Sequence, residues 1–235
     1  MSTERPLFPP LLTGIAVTAD ADPVAAALGM ADDAEPGTVV YAKDDDALRL
    51  ALILAPDRPL EQAAGVGFVP MLGLNDALGA LAPPEVGLHI EWPGTVRING
   101  AKAGAFRMLA DTYVPTTEPD WLIIGLTLSL RDPATTAPGE TPDQTTLADE
   151  GCGELLVVDL IEAWARHMMN WLHTYMSDGF APVARAWWSL AWQREDAVEA
   201  PETGTFLGLD DLGGMILKTD AGTKGLPLWK TVETP

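Results

Sequence analysis

Apolar residues recur at helical spacing between residues 154 and 178, and this pattern predicts the longest helix of the chain. The apolar positions are Leu156, Leu160, Ile161, Trp164, Met168, Trp171, Leu172 and Tyr175. Gly179 follows as a favourable helix-ending residue, and a second apolar helix is predicted over residues 182–194. The tryptophans of both helices lie on the apolar faces, so we expect them to pack in the core rather than to form a cofactor site.

Shorter apolar and β-branched runs predict strands in the first part of the chain. The predicted strands cover residues 11–17, 38–42, 47–54, 87–91 and 122–130. Asp22 and Pro23 form a favourable N-cap and first turn for a short helix over residues 23–29. Another helix is predicted over residues 62–82, although Pro70 lies within it. Together these elements predict an α/β protein.

Asn99 and Gly100 lie between two apolar or β-branched runs, and this dipeptide is the strongest short signal for a tight β-hairpin. The register of a two-residue turn should oppose the pairs Ile98–Ala101, Arg97–Lys102 and Thr95–Gly104. Like charges opposed across a strand pair are unfavourable unless an anion lies between them. Arg97 and Lys102 are therefore a candidate site for a small anion.

The second half of the chain changes character twice. Residues 131–153 are rich in proline, threonine and acidic residues and should form a mobile excursion. After residue 202 the pattern becomes a meander of short strands, which must pack on the preceding domain. The predicted strands of this meander cover residues 204–209, 215–219 and 226–232. We therefore predict a main domain over residues 1–198 and a small C-terminal β domain over residues 199–235.

Composition narrows the classes of partner. The 235 residues are 47% hydrophobic and carry a net charge of −20. This balance predicts a folded protein and argues against nucleic acid and anionic membranes as partners. The single cysteine excludes an internal disulfide framework. No signal peptide, membrane-spanning run or metal-ligand spacing is visible in the sequence, so we expect a cytoplasmic protein without a metal site.

Three segments together resemble a known family. Residues 91–106, E-W-P-G-T-V-R-I-N-G-A-K-A-G-A-F, resemble a K-W-P-N-D motif followed by a hairpin and a G-x-K-x-x-G segment. Residues 121–130, W-L-I-I-G-L-T-L-S-L, resemble a strand of the form I-G-I-G-I-N-V, and residues 36–41, P-G-T-V-V-Y, resemble E-G-T-V-V-V-A. In their order along the chain, the three motifs resemble those of the biotin–protein ligases and lipoate ligases. The resemblance spans most of the chain.

The resemblance implies a fold, an activity and a set of partners. The fold would be a mixed, largely antiparallel sheet with packing helices, followed by a small SH3-like β module. The family forms an acyl-adenylate from ATP and a carboxylic acid such as biotin or lipoate, and transfers the acyl group to a carrier domain. Lys102 falls on the family lysine that contacts the carboxylate and the adenylate phosphate. Biotin, lipoate, ATP and a biotinyl or lipoyl carrier domain are thus expected by resemblance alone, and a homodimer is left open.

The sequence departs from the family pattern where the family binds phosphate. The family places a basic glycine-rich loop resembling G-R-G-R-x-G after the E-G-T-V-V-V-A strand. This chain has Lys43 there, followed by three aspartates at residues 44–46. Anions in place of cations reverse the sign of the electrostatic interaction with a triphosphate. We therefore expect the triphosphate site to be lost.

Other family positions are also changed. Glu91, Gly94 and Thr95 replace the lysine, asparagine and aspartate of K-W-P-N-D, and Thr127 and Ser129 replace a glycine and an asparagine of the later strand. Thr127 should narrow the pocket, because a glycine lets a ligand approach the backbone closely. The residues expected to line or support the cleft are Glu91, Trp92, Pro93, Gly94, Thr95, Arg97, Gly104, Gly125, Thr127 and Ser129, with Lys102 as a candidate catalytic residue.

The leading prediction is a diverged family member that no longer performs ATP-dependent ligation. It would bind a small carboxylate, an acyl group or a protein partner in the old cleft. An active biotin or lipoate ligase, with basic groups from elsewhere in the chain, is the alternative. An ATP-independent octanoyl or lipoyl transferase that uses Lys102 and Cys152 is another, although Glu150 and Glu154 should raise the pKa of the thiol. A non-enzymatic interaction module is the third class.

Overall fold

Twelve strands and five α-helices make up the parts of the chain that the computed structural model describes, residues 5–131 and 143–235. The strands are β1 (Thr13–Val17), β2 (Thr38–Ala42), β3 (Ala47–Leu54), β4 (Leu88–Glu91), β5 (Thr95–Ile98), β6 (Ala101–Ala110), β7 (Leu122–Ser129), β8 (Ala197–Val198), β9 (Gly204–Leu209), β10 (Met215–Thr219), β11 (Gly222–Leu226) and β12 (Val232–Glu233). The helices are α1 (Pro23–Leu28), α2 (Leu60–Ala63), α3 (Phe68–Leu81), α4 (Val157–Asp178) and α5 (Phe180–Leu190).

Eight of the strands form one mixed sheet, in the order β1-β2-β3-β7-β6-β5-β4 with β12 beside β6. β1 pairs in parallel with β2 and β12 in parallel with β6, whereas the other neighbouring strands are antiparallel. The predicted mixed, largely antiparallel sheet with packing helices is therefore confirmed. β2 and β3 begin and end where the apolar pattern predicts.

Helices α3, α4 and α5 pack on one face of this sheet and enclose the main core. Trp164 of α4 and Trp187 of α5 are fully buried there. Their indole N–H groups donate to the carbonyl oxygen of Pro70 at 3.1 Å and to Sδ of Met71 at 3.3 Å. The prediction that the tryptophans of these helices pack in the core is confirmed for this pair.

The opposite face of the sheet carries α1 at one end. Val24 and Ala27 of α1 pack over a smaller cluster that includes Ile53 and Ile123. The predicted N-cap is confirmed, because Oδ1 of Asp22 accepts a hydrogen bond from the backbone N–H of Val24 at 2.9 Å. Because α1 is only six residues long, the strand residues beyond it face outward. We call this side of the sheet the open face.

The helix predicted over residues 62–82 is present over residues 60–81, although a 3₁₀ turn at Ala64–Gly67 separates α2 from α3. Gly73 lets α3 and α4 approach closely, because a Cβ there would lie 2.7–2.8 Å from atoms of Met168. Within the described residues, Leu60–Leu81 is the one segment long and apolar enough to cross a membrane. Because 72% of its most apolar window is buried inside the protein, it is accounted for as a core helix.

The hairpin of β5 and β6 follows the predicted register only near its turn. Ile98 pairs with Ala101 and Arg97 pairs with Lys102, as predicted, but Thr95 pairs with Ala105 rather than with Gly104. The prediction for Thr95 is wrong because the register shifts by one residue between Val96 and Arg97, as in a β-bulge. Such a shift leaves no signal in the alternation of apolar and polar residues over so short a strand.

A second sheet, in the order β11-β10-β9-β8, follows the helices. It lies against the main body through the indole N–H of Trp92, which donates to the carbonyl oxygen of Gly213 at 3.0 Å. The predicted strand at residues 226–232 is wrong: β11 ends at Leu226, and a 3₁₀ turn occupies Leu228–Thr231. Pro227 has no N–H to continue the ladder. A small C-terminal sheet is thus present, whereas its likeness to an SH3 domain and a boundary at residue 199 stay predictions.

Part of the predicted excursion is anchored to the hairpin. Residues 132–142 lie outside the described residues. Beyond them, the N–H of Lys102 donates to the carbonyl oxygen of Asp143 at 2.8 Å, and the N–H of Thr145 donates back to that of Lys102 at 2.9 Å. The N–H of Leu147 donates to the carbonyl oxygen of Ser129 at 3.1 Å. Residues 143–147 are therefore held along the sheet, contrary to the expectation of a mobile segment.

Candidate ligand-binding site

A pocket of about 340 Å³ opens on the open face beside α1. Its lining residues are Asp22, Val24, Arg49, Ala105, Arg107, Gly125 and Thr127. Strand pairing explains why they converge: Thr127 of β7 lies between Arg49 and Ala105, and Gly125 lies beside Arg107. Alternation along each strand turns all of these side chains to the same face. The floor of the pocket is made by small residues and its rim by charged ones.

Gly125 is required for α1 to lie close to the sheet. A Cβ at this position would lie 2.5 Å from Cγ2 of Val24. That Gly125 lines a cleft for a ligand stays a prediction. The close contact with α1 is a separate reason why this position needs a glycine. Thr127 is exposed on the same face, and its side chain occupies space that a glycine would leave free.

Arg49 joins the acidic turn to the loop before α1. Its Nε and Nη2 donate to Oδ2 of Asp44 at 3.2 and 3.0 Å, and its Nη1 donates to the carbonyl oxygen of Ala21 at 3.0 Å. Nη2 also donates to the carbonyl oxygen of Ala19. The guanidinium thus places a carboxylate of the residue 44–46 turn at the edge of the pocket.

Arg107 lies at the opposite side of the pocket between two carboxylates. Its Nη2 lies 3.4 Å from Oδ2 of Asp22, and its Nη1 lies 3.9 Å from Oε2 of Glu233. Glu233 belongs to β12, so this strand brings a carboxylate close to a residue that lines the pocket. The carboxylates of Asp22 and Glu233 therefore both lie near the guanidinium of Arg107.

Arg97 and Lys102 lie together on the open face, as the hairpin register predicts, and the carboxylate of Asp143 lies between them. Nη1 of Arg97 is 2.9 Å from Oδ1 of Asp143, and Nζ of Lys102 is 3.0 Å from Oδ2. The hydrogen bonds from Lys102 and then Arg97 are the main cause that lowers the pKa of Asp143. The like charges are therefore balanced by an anion that the chain itself supplies.

Arg97 is held far more tightly than Lys102. Only 8% of Arg97 is exposed, and its Nε donates to Oε2 of Glu91 at 2.8 Å. Its Nη1 also donates to the carbonyl oxygen of Gly100 at 2.6 Å, and the guanidinium lies 5.0 Å from the ring centre of Trp192. The Lys102 side chain is about half exposed, at 45%. The predicted site residues Glu91, Arg97 and Lys102 thus share one charged cluster.

The remaining predicted residues of the hairpin mainly shape the backbone. Trp92 is buried against the second sheet, and the bond between it and Pro93 is cis. A Cβ on Gly94 would lie 2.7 Å from the carbonyl oxygen of Phe106, and one on Gly104 would lie 2.1 Å from that of Thr127. The other two predicted residues, Thr95 and Ser129, pair with Ala105 and Ala47 respectively.

Comparison with known proteins decides the family of the chain. A model of the biotin/lipoate A/B protein ligase family matches residues 8–189. A biotin–[acetyl-CoA-carboxylase] ligase of Paracoccus denitrificans is 32% identical over 185 residues, which are 75% of each chain. The chain belongs to the biotin/lipoate A/B protein ligase family.

Two solved structures show how far the likeness of this family member extends. A biotin protein ligase-like protein of unknown function from Silicibacter sp. TM1040 superposes with a TM-score of 0.90 at 41% identity, covering 97% of this chain and 100% of that one. The biotin protein ligase of Aquifex aeolicus gives a TM-score of 0.72 at 19% identity, covering 91% and 94%. The second likeness shows the fold alone.

Cys152 of this family member is buried rather than presented to the pocket. Only 6% of the residue is exposed, within the main core. Burial, followed by the charges of Glu150 and Glu85, raises the pKa of its thiol. A raised pKa leaves little thiolate to act as a nucleophile. Among the described residues, no group of three or more His, Cys, Asp or Glu side chains could hold a metal ion.

Sequence reasoning missed three charged residues of the family member's open face: Arg49, Arg107 and Asp143. Arg49 and Arg107 did leave a signal, because each lies between apolar neighbours within a strand. A charge in the middle of an interior strand indicates a face that is not packed. Asp143 left none, because it lies 46 residues from Arg97 in the chain.

Proposed function

We propose that this protein binds a small carboxylic acid or acyl group on the open face and does not carry out ATP-dependent ligation. The observation that carries the proposal is the pairing of Arg49 with Asp44. This aspartate belongs to the turn between β2 and β3, where the resemblance places a basic, glycine-rich nucleotide loop. A carboxylate at the edge of the pocket repels a phosphate that a basic loop would attract.

The other charges of the face support the same conclusion. Its basic residues Arg49, Arg97, Lys102 and Arg107 each have an acidic partner within the chain. A unit charge about 4 Å away is worth about 1–4 kcal/mol near a protein surface. Partners that neutralise each cation therefore remove most of the attraction for a triphosphate. A single carboxylate needs far less positive charge. Arg107 is suited to bind it, because its acidic partners lie at 3.4 and 3.9 Å and its side chain is 45% exposed.

The size of the pocket also suits a small ligand. Its volume of about 340 Å³ is at the lower end of the range of about 300–1,000 Å³ for small-molecule sites. Ala105 on the floor is exposed and leaves room for an apolar chain, whereas Val24 covers Gly125. Biotin, lipoate and octanoate are the acids to test, with a biotinyl or lipoyl carrier domain as the protein partner implied by the family.

Binding and nucleotide chemistry can be tested on the same protein. Thermal unfolding is measured with biotin, lipoate, octanoate or ATP, and pyrophosphate exchange into ATP is measured with each acid. We expect stabilisation by at least one acid, no stabilisation by ATP and no exchange. A hundredfold excess of ATP over its Kd would add about 2.7 kcal/mol to the free energy of unfolding. Such an effect, or acid-dependent exchange, would contradict the proposal.

An active ligase is the second candidate function. The observation in its favour is the 32% identity to the Paracoccus denitrificans biotin ligase over 75% of the chain. In that case Arg49 would have to release Asp44 when nucleotide binds. The same exchange assay decides between the two, because only an active ligase forms an acyl-adenylate and pyrophosphate.

The transferase alternative, with Lys102 and Cys152 in the reaction, has less support. The burial of Cys152 and the raised pKa of its thiol both oppose the formation of a thioester there. An octanoylated carrier protein offered to the chain should therefore leave the intact mass unchanged. A mass increase located on Cys152 would establish the transferase instead.

A further inference from the structure

The carboxylate of Asp143 lies on the open face in the position expected of a bound anion. Its two oxygens contact two different cations, Oδ1 with Nη1 of Arg97 at 2.9 Å and Oδ2 with Nζ of Lys102 at 3.0 Å. This arrangement places one carboxylate between two donors that stand side by side because of the hairpin register. A carboxylate from any other molecule would use the same two contacts.

The guanidinium of Arg97 and the backbone of Lys102 are held in place without the help of the Asp143 carboxylate. Glu91 and the carbonyl oxygen of Gly100 fix the guanidinium of Arg97, and Trp192 stacks against it. The backbone of Lys102 is fixed by its pairing in the β5–β6 hairpin. The guanidinium of Arg97 should therefore keep its position when the aspartate side chain is removed, and Lys102 should stay within reach of it.

The segment that carries Asp143 is also held independently of its carboxylate. Its backbone is bonded to that of Lys102 on both sides of residue 144, through Asp143 and Thr145. Further along, the hydroxyl of Thr145 donates to Glu150 at 2.7 Å. The Asp143 side chain itself is exposed, at 59%. It can therefore rotate into solvent while its backbone stays in place.

We propose that Arg97 and Lys102 form a carboxylate-binding site for which the chain's own Asp143 is an internal competitor. These two cations lie on the same face as the pocket but do not line it, and the inference rests on the proposed function for its biological meaning. A tethered group acts at an effective concentration that reaches about the millimolar range. External carboxylates therefore bind only when their affinity or concentration overcomes that of Asp143.

The test follows the side-chain Nε–H signal of Arg97 by NMR while sodium acetate is added at constant ionic strength. The variant Asp143→Ala should bind acetate about tenfold more tightly than the unaltered protein, which is the gain expected if Asp143 occupies the two cations about nine-tenths of the time. Asp143→Asn, which keeps the side-chain shape and removes the charge, should change the affinity in the same direction. Adding Lys102→Met to Asp143→Ala should abolish the gain in acetate affinity.

Glu202→Ala is the matched control. It also removes the acidic partner of a basic side chain, Lys224 of the second sheet, and changes the net charge equally, but it lies outside the open face and leaves Asp143 in place. Its acetate affinity at Arg97 should equal that of the unaltered protein. An affinity of Asp143→Ala within twofold of the unaltered protein, in a variant whose amide spectrum shows the native fold, would overturn the inference.

The outcome is separable from that of the proposed function. The acid and ATP series on the unaltered protein tests the proposed function and does not depend on Asp143. If acetate gains affinity in Asp143→Ala while biotin, lipoate and octanoate leave the unaltered protein unstabilised, the competition stands and the proposed ligand class is wrong. If an acid stabilises the unaltered protein but Asp143→Ala gains no acetate affinity, the proposed ligand class stands and the competition is wrong.

Discussion

Single residues of the open face differ in how well their surroundings can be predicted. The opposition of Arg97 and Lys102 follows from a two-residue turn, because local geometry alone sets it. Their counter-ion Asp143 is distant in the chain, and nothing local indicates that it folds back on the hairpin. Likewise, Arg49 reaches a carbonyl oxygen 28 residues away at Ala21. Tertiary ion pairs of this kind need the fold before they can be inferred.

His89 makes the stability of the protein depend on pH. It pairs with Arg97 across β4 and β5, its ring contacts Trp192, and its Nδ1 is buried without a hydrogen-bond partner among the described residues. Burial, and then the charge of Arg194, lowers its pKa below the ordinary value of 6.5. Between the two pKa values the unfolded chain binds more protons, so the free energy of unfolding falls as the pH falls.

The variant His89→Gln removes this contribution. Urea unfolding of both proteins at pH 7.5 and pH 5 should show that the unaltered protein loses more stability on acidification than the variant does. The comparison between the two proteins cancels the titration of the carboxylates that they share. An equal loss in both would show that His89 does not titrate differently in the folded state.

At the scale of elements, the apolar pattern predicted the strands well and the turns less well. β2, β3, β9 and β10 occupy the predicted residues, because alternation or continuous burial determines each of them. The bulge in the hairpin and the position of β11, which ends where the predicted strand at residues 226–232 begins, escaped prediction. Both depend on single backbone positions rather than on a repeated pattern. The helix containing Pro70 survives because the proline lies in the first turn of α3, where its missing N–H costs little.

The contact between α3 and α4 should depend on Gly73. Gly73→Ala places a methyl group 2.7–2.8 Å from the Cβ, Cα and N atoms of Met168, so the helices must separate. Overpacking of this kind costs about 1–3 kcal/mol. Gly79→Ala on the same helix meets nothing within 4 Å and should instead stabilise the protein by up to about 1 kcal/mol through helix propensity. Thermal unfolding followed by circular dichroism measures both, and equal effects would show that the close approach does not matter.

At the scale of the whole molecule, charge opposes the compact state. The net charge of −20 produces self-repulsion that salt should screen. Raising NaCl from 10 to 150 mM shortens the Debye length from about 30 to about 8 Å. We expect Tm to rise, by about 2–4 °C for each kcal/mol of repulsion removed. Choline chloride should act equally, since ionic strength is the cause. A fall in Tm would mean that the ion pairs of the open face outweigh the repulsion.

The pairing of β12 with β6 has a consequence for the order in which the molecule is completed during synthesis. β12 contributes Val232 and Glu233, and it pairs with Met108 and Leu109 in the middle of the main sheet. Until residue 233 has left the ribosome, that stretch of β6 exposes unpaired backbone groups, which are a template for pairing with another chain. The nascent chain must therefore keep a sheet edge open while more than a hundred later residues are made. Emergence of Val232 and Glu233 closes the edge and brings Glu233 to Arg107 in the same step.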